Sequence, residues 1–125
     1  MPVKPGLNAD VELLVTEADT AVALRSGTVA VLATPRLIAL CEEASMRAVE
    51  AELDGGLTTV GMKVQLDHLA PTAVGQSVVA EATVERVNGR RVTFTVSVHD
   101  DRGLVAVGRI TRVIVDKERF MEKTR

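Results

Sequence analysis

The 125-residue chain is nearly without aromatic side chains: it has Phe94 and Phe120, and neither tryptophan nor tyrosine. A core must therefore be aliphatic, and the hydrophobic fraction of 46% is large enough to supply one. The shortage of rings disfavours single-stranded nucleic acid as a ligand, because its bases stack on aromatic side chains. Charges of both signs are interspersed, with a net charge of -2, so no basic stripe is available for a phosphate backbone. We expect no nucleic-acid partner.

Cysteine, histidine and long apolar runs are also scarce. Cys41 is the single cysteine, which excludes an intrachain disulfide and favours a reducing, cytoplasmic location. One cysteine and two histidines show no metal-ligand spacing, so we expect neither a metal nor a cofactor. The first ten residues contain no apolar signal core, and Pro35 and Arg36 interrupt the apolar runs. No membrane segment is predicted.

The length of the chain and the positions of its turn residues predict one domain spanning residues 1–125, with an N-terminal arm over 1–10 and a charged tail over 116–125. Residues 11–16 read as a first short strand. Thr34-Pro35 predicts a helix start, with the threonine as N-cap and proline in the first turn. The helix should end near residue 52, before Asp54-Gly55-Gly56. Four strands follow, near 58–70, 77–87, 91–99 and 104–115, with Asn88-Gly89 as a hairpin turn.

Helical periodicity separates two adjacent glutamates. At 100° per residue, Glu43 falls with Arg36, Arg47 and Glu50 on a charged stripe. Glu42 falls instead on the flank of the apolar arc, on the same side as Thr34. The apolar arc contains Leu37, Leu40, Cys41, Ala44, Ala48 and Ala51. The structural alternative is that Glu42 lies at a helix edge and reaches water.

Alternation along the first strand of the meander places His68 on an apolar face. Val60, Met62, Val64, Leu66, His68 and Ala70 share that face, whereas Thr59, Lys63, Gln65 and Asp67 share the other. Because the apolar face should pack against the single long helix, Thr34, Glu42 and His68 are predicted to converge. A hydroxyl, a carboxylate and an imidazole in an apolar setting suit general-base or nucleophilic chemistry.

One long helix followed by a curled antiparallel meander resembles the α+β hot-dog fold. The segment A33-T34-P35 with Glu42 eight residues later, L66-D67-H68-L69-A70-P71 and V98-H99-D100 resemble the fluoroacetyl-CoA thioesterase family. That resemblance covers residues from about 28 to 120. It implies an acyl-CoA thioesterase in which Thr34, Glu42 and His68 are the catalytic group. It also implies that Gly61 and Arg112 belong to the substrate-binding surroundings.

The chain departs from this family ahead of the helix. Selectivity for fluoroacetyl groups is associated there with an aromatic lid, whereas this chain has Arg25 and Thr28 and no aromatic residue before Phe94. We therefore expect acyl-CoA hydrolysis without assigning fluoroacetyl-CoA as the substrate. A pocket closed by Val22, Leu24 and Val29 would favour a small or medium acyl group.

The division of labour among the three catalytic candidates stays open at this stage. Glu42 would activate water or attack the carbonyl to give an anhydride, His68 would hold the water or protonate the thiolate, and Thr34 would orient them or act as nucleophile. Backbone N–H groups at the helix start could stabilise the oxyanion. The alternatives are a non-catalytic acyl-CoA-binding or regulatory hot-dog module and, third, a hot-dog dehydratase or hydratase. Besides the acyl-CoA substrate, the expected partner is a second copy, in a homodimer or a higher oligomer with active sites at the interface.

Overall fold

The computed structural model describes residues 3–125. Within these residues, two helices and five strands follow one another, together with a 3-10 turn at Glu17–Asp19. They are β1 (Asn8–Leu14), α1 (Thr34–Glu50), β2 (Leu57–His68), β3 (Ser77–Asn88), β4 (Arg91–Asp100), β5 (Gly103–Asp116) and α2 (Lys117–Glu122). The sequence-based bounds of the helix and of the four meander strands differ from these by a few residues. β1 begins at Asn8, inside the region predicted to be an arm, and α2 occupies most of the charged tail.

The strands form one antiparallel sheet in the order β1-β3-β4-β5-β2. The Asn88-Gly89 turn joins β3 to β4 as predicted, and Gly89 adopts a left-handed φ of 62°. Helix α1 packs mainly against β1 and β3. The sheet therefore wraps one side of a single long helix, which confirms the predicted hot-dog fold with an open rather than closed sheet.

The core is aliphatic, as the composition requires. Alternate residues of β3 and β4 face α1 and are fully or nearly fully buried, and Phe94 is the only aromatic residue among them. The helix contributes a buried stripe that is apolar except for Ser45. Burial of Ser45 is tolerated because its hydroxyl donates to the Cys41 carbonyl. The buried helix residues are Leu37, Leu40, Cys41, Ala44, Ser45, Ala48 and Val49. Ala51, which periodicity assigned to this stripe, is exposed.

The start of α1 differs from the prediction by one position. Ala33, in an extended conformation, is the N-cap residue, so Thr34 and Pro35 are the first two helical residues. The Thr34 side chain consequently makes no capping hydrogen bond to the helix. Its hydroxyl is left available for a partner on the sheet.

A β-bulge in β2 overturns part of the predicted face assignment. The register of β2 against β5 shifts between Gly61 and Lys63. Strict alternation fails across such an extra residue, because the side chains beyond it point to the other face. Thr59, predicted to face away from the helix, is in fact 5% exposed and points to the interior. His68 lies beyond the bulge and keeps its predicted helix-facing position.

β2 is also an edge strand whose second side pairs with no strand in the described part of the chain. All five residues over 61–65 are exposed, including Met62 at 49% and Val64 at 37%. A twelve-residue edge with exposed apolar side chains presents unpaired backbone groups to a further strand. No helix within residues 3–125 is both long and apolar enough to span a bilayer.

Candidate active site

Thr34 and His68 form a direct pair. The first turn of α1 presents the Thr34 hydroxyl to the last residue of β2, and Thr34 Oγ1 lies 2.7 Å from His68 Nδ1. The other ring nitrogen, His68 Nε2, is shielded from solvent and has no hydrogen-bond partner within residues 3–125. A buried polar nitrogen without a partner is costly in a protein interior. The pair therefore presents one ring nitrogen that a substrate, a water molecule or another protein group would satisfy.

Glu42 belongs to a second group, built around Arg112. The Arg112 Nη1 atom donates to Glu42 Oε2 at 3.2 Å. Arg112 Nε donates to the Thr59 hydroxyl at 2.9 Å, and Nη2 donates to the Thr59 carbonyl at 2.8 Å. The Arg112 side chain is only 9% exposed, and this burial lowers the pKa of its guanidinium, an effect that the nearby Glu42 carboxylate opposes. The guanidinium is thus fixed on three sides with its positive charge facing the carboxylate.

Gly61 makes room for this carboxylate. A Cβ atom built on Gly61 would lie 2.5 Å from Glu42 Oε2 and 3.7 Å from Arg112 Nη1. The lack of a side chain is therefore what allows Glu42 to lie against the β2 backbone. Gly61, Glu42 and Arg112, three of the five predicted site residues, do come together.

The two groups are separate within one protomer. Glu42 is eight positions after Thr34 on α1, a rise of about 12 Å. His68 is seven positions after Gly61 on β2, about 23 Å along the strand. No hydrogen bond joins Glu42 to Thr34 or His68 among the residues that the structure describes. The predicted convergence of all three side chains therefore does not occur within a single chain.

Adjacent Glu42 and Glu43 differ in their partners rather than in their exposure. Their side chains are 34% and 33% exposed. Glu43 pairs with Arg47 one turn along the same helix, an ordinary solvent-facing ion pair. Glu42 pairs across the fold with the nearly buried Arg112. Periodicity correctly separated the two glutamates, whereas the degree of burial inferred from it was too high for Glu42.

Thr59 is the residue that sequence reasoning missed. Simple alternation assigned it to the solvent face, yet it supplies two of the three hydrogen bonds that hold Arg112. A signal was present, because an isolated glycine inside a strand pattern indicates a bulge or a close backbone approach. Gly61 marks both features here.

A cavity of about 360 Å³ adjoins the Thr34–His68 pair. Its wall is formed by Ala21, Ser26, Gly27, Val29, Val31, Leu32, Thr34, His68, Leu69, Ala70 and Pro71. Of the three residues predicted to close the pocket, Val29 lines it. Val22 and Leu24 are 53% and 43% exposed and lie outside the lining, as do Arg25 and Thr28. The segment ahead of α1 therefore forms an aliphatic wall with no ring in it.

The segment ahead of α1 is tied to the helix by Asp19. Its carboxylate accepts from the backbone and hydroxyl of Thr16 and, at 2.9 Å, from Arg36 Nε in the first turn of α1. Burial acts to raise the pKa of Asp19, but these hydrogen bonds and the Arg36 charge outweigh burial and leave that pKa lowered. The wall of the cavity is thereby anchored next to Thr34.

The other reactive side chains are not placed for chemistry with these groups. Cys41 is fully buried, and burial raises the pKa of its thiol to about 12, so it is protonated at neutral pH. His99 is 45% exposed and lies 3.9 Å from Glu81. Within residues 3–125 no three potential ligands cluster in a way that could hold a metal ion.

Comparison with known proteins supports the resemblance stated above. Residues 15–118 match the model of a family described as fluoroacetyl-CoA-specific thioesterase. The fluoroacetyl-CoA thioesterase of Streptantibioticus cattleyicolor is 33% identical over 95 residues, which is 76% of this chain and 68% of that protein. A solved structure of the fluoroacetyl-CoA thioesterase FlK superposes with a TM-score of 0.93 at 27% identity, covering 98% of this chain and 96% of that one.

Two further structures extend the likeness. A hypothetical protein of the thioesterase superfamily from Thermus thermophilus has a TM-score of 0.91 at 28% identity, covering 99% of this chain and 92% of its own. A hot-dog-like protein from Thermanaerovibrio acidaminovorans has a TM-score of 0.90 at 26% identity, covering 98% and 91%. Fold, sequence and the presence of both polar groups agree. The chain belongs to the fluoroacetyl-CoA-specific thioesterase family, and it is a thioesterase that hydrolyses acyl-CoA thioesters.

Proposed function

We propose that this thioesterase works as a homodimer whose active sites are composite, with Glu42, Gly61 and Arg112 from one protomer and Thr34 and His68 from its partner. The observation that carries this proposal is the separation of the two groups in one chain, combined with the unpartnered Nε2 of His68. Neither group alone offers a base, a proton relay and a positive charge around one carbonyl.

The exposed edge of β2 could pair with the same edge of a second protomer, which would bring the two groups together. Antiparallel pairing of two β2 strands about a twofold axis would cover the exposed segment 61–65 and its apolar side chains. If the axis passes between Val64 and Gln65, Gly61 of one protomer lies across from His68 of the partner subunit. The Glu42 carboxylate, which rests on Gly61, would then approach the imidazole that lacks a partner.

The chemistry we propose is direct hydrolysis. Glu42 removes a proton from water, the water oxygen bonds to the thioester carbonyl carbon, and the C–S bond breaks. His68 Nε2 relays the proton to the departing thiolate, so that the products are a carboxylic acid and CoA. Thr34 holds Nδ1 and thereby aims Nε2 at the reacting atoms. The positive charge of Arg112 and the free N–H groups at the start of α1 stabilise negative charge on the carbonyl oxygen.

The acyl group we propose is small or medium in size, held in the cavity beside Thr34. The aliphatic wall around Val29 and Leu69 has no ring to recognise fluorine. A small change in an apolar pocket is worth about 1–3 kcal/mol, so discrimination between fluoroacetyl-CoA and acetyl-CoA should not exceed roughly 200-fold. By this proposal, the substrate preference of this thioesterase differs from that of the relative named as a fluoroacetyl-CoA thioesterase. The cytoplasmic location inferred from the single cysteine stays a prediction.

Two measurements test the proposed function. Thiol release from a panel of acyl-CoA thioesters of increasing chain length should show turnover for short and medium chains and only modest preference for the fluoroacetyl thioester. A preference of many orders of magnitude for fluoroacetyl-CoA would show that the aliphatic wall ahead of α1 does select strongly for fluorine, contrary to the proposal. Sedimentation should show a dimer at micromolar concentration, and a fully active stable monomer would disprove the composite site.

A further inference from the structure

A cleft of about 420 Å³ lies where the first residue of β2, Leu57, pairs with the last residue of β5, Asp116. Of the side chains that line it, four are apolar, three are positive and one is negative, in a chain with a net charge of -2. They belong to Leu57, Arg90, Ile114, Val115, Asp116, Arg119, Phe120 and Lys123. A cleft with apolar walls and positive charge suits a ligand that joins a hydrocarbon chain to an anionic group.

The positive side chains of the cleft are not neutralised by the protein. Arg90, Arg119 and Lys123 are exposed, and none of them forms a salt bridge within residues 3–125. Arg119 and Lys123 are four positions apart, a spacing that places both on one side of the α2 turn. The one carboxylate of the lining, Asp116, already accepts the backbone N–H of Arg119 as the N-cap of α2. The cleft therefore offers free cations to an anion.

The proposed composite site brings this cleft next to the acyl cavity of the partner subunit. In the register that sets Gly61 opposite His68 of the partner subunit, each step from Gly61 toward Leu57 is matched by one step beyond His68 of the partner subunit. Residues 69–71 of the partner subunit, which line the acyl cavity, therefore run toward Leu57. The acyl group then points to the cleft, and the CoA arm leaves the site on the other side.

The cleft also lies on the correct face of the sheet and at a suitable distance. Leu57 is two positions before Thr59, whose side chain points to the interior, so Leu57 faces the same side as the Glu42–Arg112 group. Leu57 is four positions from Gly61, about 13 Å along the strand. An acyl chain of about eight carbons, together with the reach of an arginine or lysine side chain, covers that distance.

We propose that this thioesterase selects medium-length acyl groups that end in a carboxylate. The terminal carboxylate is bound by Arg90, Arg119 and Lys123 of the protomer that supplies Glu42, and the apolar walls of the cleft contact the methylene groups. This inference rests on the proposed composite site, which joins the cleft to the acyl cavity. The terminal carboxylate takes no part in the chemistry. The C–S bond breaks as before, and the products are a dicarboxylic acid and CoA.

The first test compares suberyl-CoA with octanoyl-CoA, whose acyl groups have the same number of carbons and differ in the terminal carboxylate. The wild-type enzyme should hydrolyse suberyl-CoA with a kcat/KM about tenfold higher, because charge-assisted hydrogen bonds hold the carboxylate. In Arg119→Gln/Lys123→Gln the ratio of the two kcat/KM values should fall to about one. The matched control, Lys117→Gln/Arg125→Gln, removes two exposed cations near the same end of the chain but outside the lining, and it should keep the wild-type ratio.

Chain length separates binding in the cleft from a general attraction of anions. Succinyl-CoA carries its carboxylate too close to the thioester carbonyl to reach the cleft, so it should show no preference over butyryl-CoA. Three results would overturn the proposal: equal hydrolysis of octanoyl-CoA and suberyl-CoA by the wild-type enzyme, a preference that persists in the double variant, or the same preference for succinyl-CoA.

Heterodimers distinguish failure of this inference from failure of the proposed function. When a Glu42→Gln protomer pairs with a His68→Ala protomer, the intact site takes both Glu42 and the cleft from the His68→Ala protomer. Adding Arg119→Gln/Lys123→Gln to that protomer should abolish the preference for suberyl-CoA, whereas adding it to the Glu42→Gln protomer should not. If the effect follows the other protomer, the carboxylate site stands and the composite arrangement falls. An active heterodimer without any preference for suberyl-CoA would refute the carboxylate site and leave the composite arrangement standing.

Discussion

The Glu42–Arg112 group and the Thr34–His68 pair differ in how completely the protein satisfies them. Arg112 has protein acceptors for Nε, Nη1 and Nη2, and its side chain is nearly buried. Among residues 3–125, His68 has a partner for Nδ1 and none for Nε2, and it lines the cavity beside Thr34. One group is preorganised by the fold, and the other is incomplete until something binds. We infer from this difference that the fixed group supplies the positive charge of Arg112 and the base Glu42. The Thr34–His68 pair, in contrast, contacts the substrate directly.

The largest effect is expected from the base itself. Glu42→Gln keeps the shape of the side chain but cannot remove a proton, so kcat should fall by roughly 10²-fold or more. Glu43→Gln is the matched control, since the Glu43 side chain is equally exposed but its one ion-pair partner within residues 3–125 is Arg47. Thiol release by the two purified variants measures the contrast. An inactive Glu43→Gln enzyme beside an active Glu42→Gln enzyme would mean that the helix phase has been misassigned.

The incomplete pair should be nearly as sensitive. His68→Ala removes the relay for the thiolate proton, and kcat should decrease by about 10²-fold. Thr34→Ala should be more harmful than Thr34→Ser, because serine retains the hydroxyl that contacts Nδ1. Steady-state kinetics and circular dichroism on all three variants separate loss of chemistry from loss of folding. Equal activity of the alanine and serine variants would exclude a role for the hydroxyl.

A substitution at Thr59 tests whether catalysis depends on the fixed position of Arg112 and Glu42. Thr59→Val removes the hydroxyl that accepts from Arg112 Nε and keeps the branched shape, so Arg112 and hence Glu42 become less well positioned. We expect kcat to fall by about tenfold with little change in KM, because the hydrogen bond to a charged group contributes about 1.5–3 kcal/mol. Thr59→Ser should recover most of the loss. A Thr59→Val enzyme with unchanged kcat would show that the two remaining hydrogen bonds suffice.

The smallest effect concerns the anchor of the cavity wall. Because the pKa of Asp19 is lowered by folding, its ion pair with Arg36 stabilises the protein above the unfolded-state value near 3.8. That contribution is lost as the pH falls below this value and the carboxyl becomes protonated. Asp19→Asn should therefore cost about 1 kcal/mol at pH 7 and much less at acid pH, as measured by urea unfolding. A cost that does not diminish on acidification would assign the loss to packing rather than charge.

Sequence periodicity predicted the fold well because nearly every element carries its own local signal. The helix bounds follow from Pro35 and the Gly55-Gly56 break, and the meander follows from alternation and turn residues. Periodicity also fixed the side of the helix on which Thr34 and Glu42 project. It could not fix their convergence, because an angle around the helix axis says nothing about the axial separation of about 12 Å.

The bulge shows a second limit. One extra residue near Gly61 reverses the faces of β2, so the alternation that placed His68 correctly placed Thr59 on the wrong side. The contact between Glu42 and the backbone at Gly61 depends on this local irregularity and on a missing Cβ. Such pairings between distant segments are set by packing and leave no periodic trace in the sequence.

Complementation between two inactive variants tests the composite site most directly. A heterodimer of one Glu42→Gln protomer and one His68→Ala protomer, isolated with two affinity tags, should recover about half of wild-type turnover, because one of its two sites is intact. As the control, a protomer carrying both substitutions paired with a wild-type protomer should be inactive, since each site then lacks one group. The reverse result, an inactive first heterodimer and a half-active control, would place each complete site within a single chain and contradict the account.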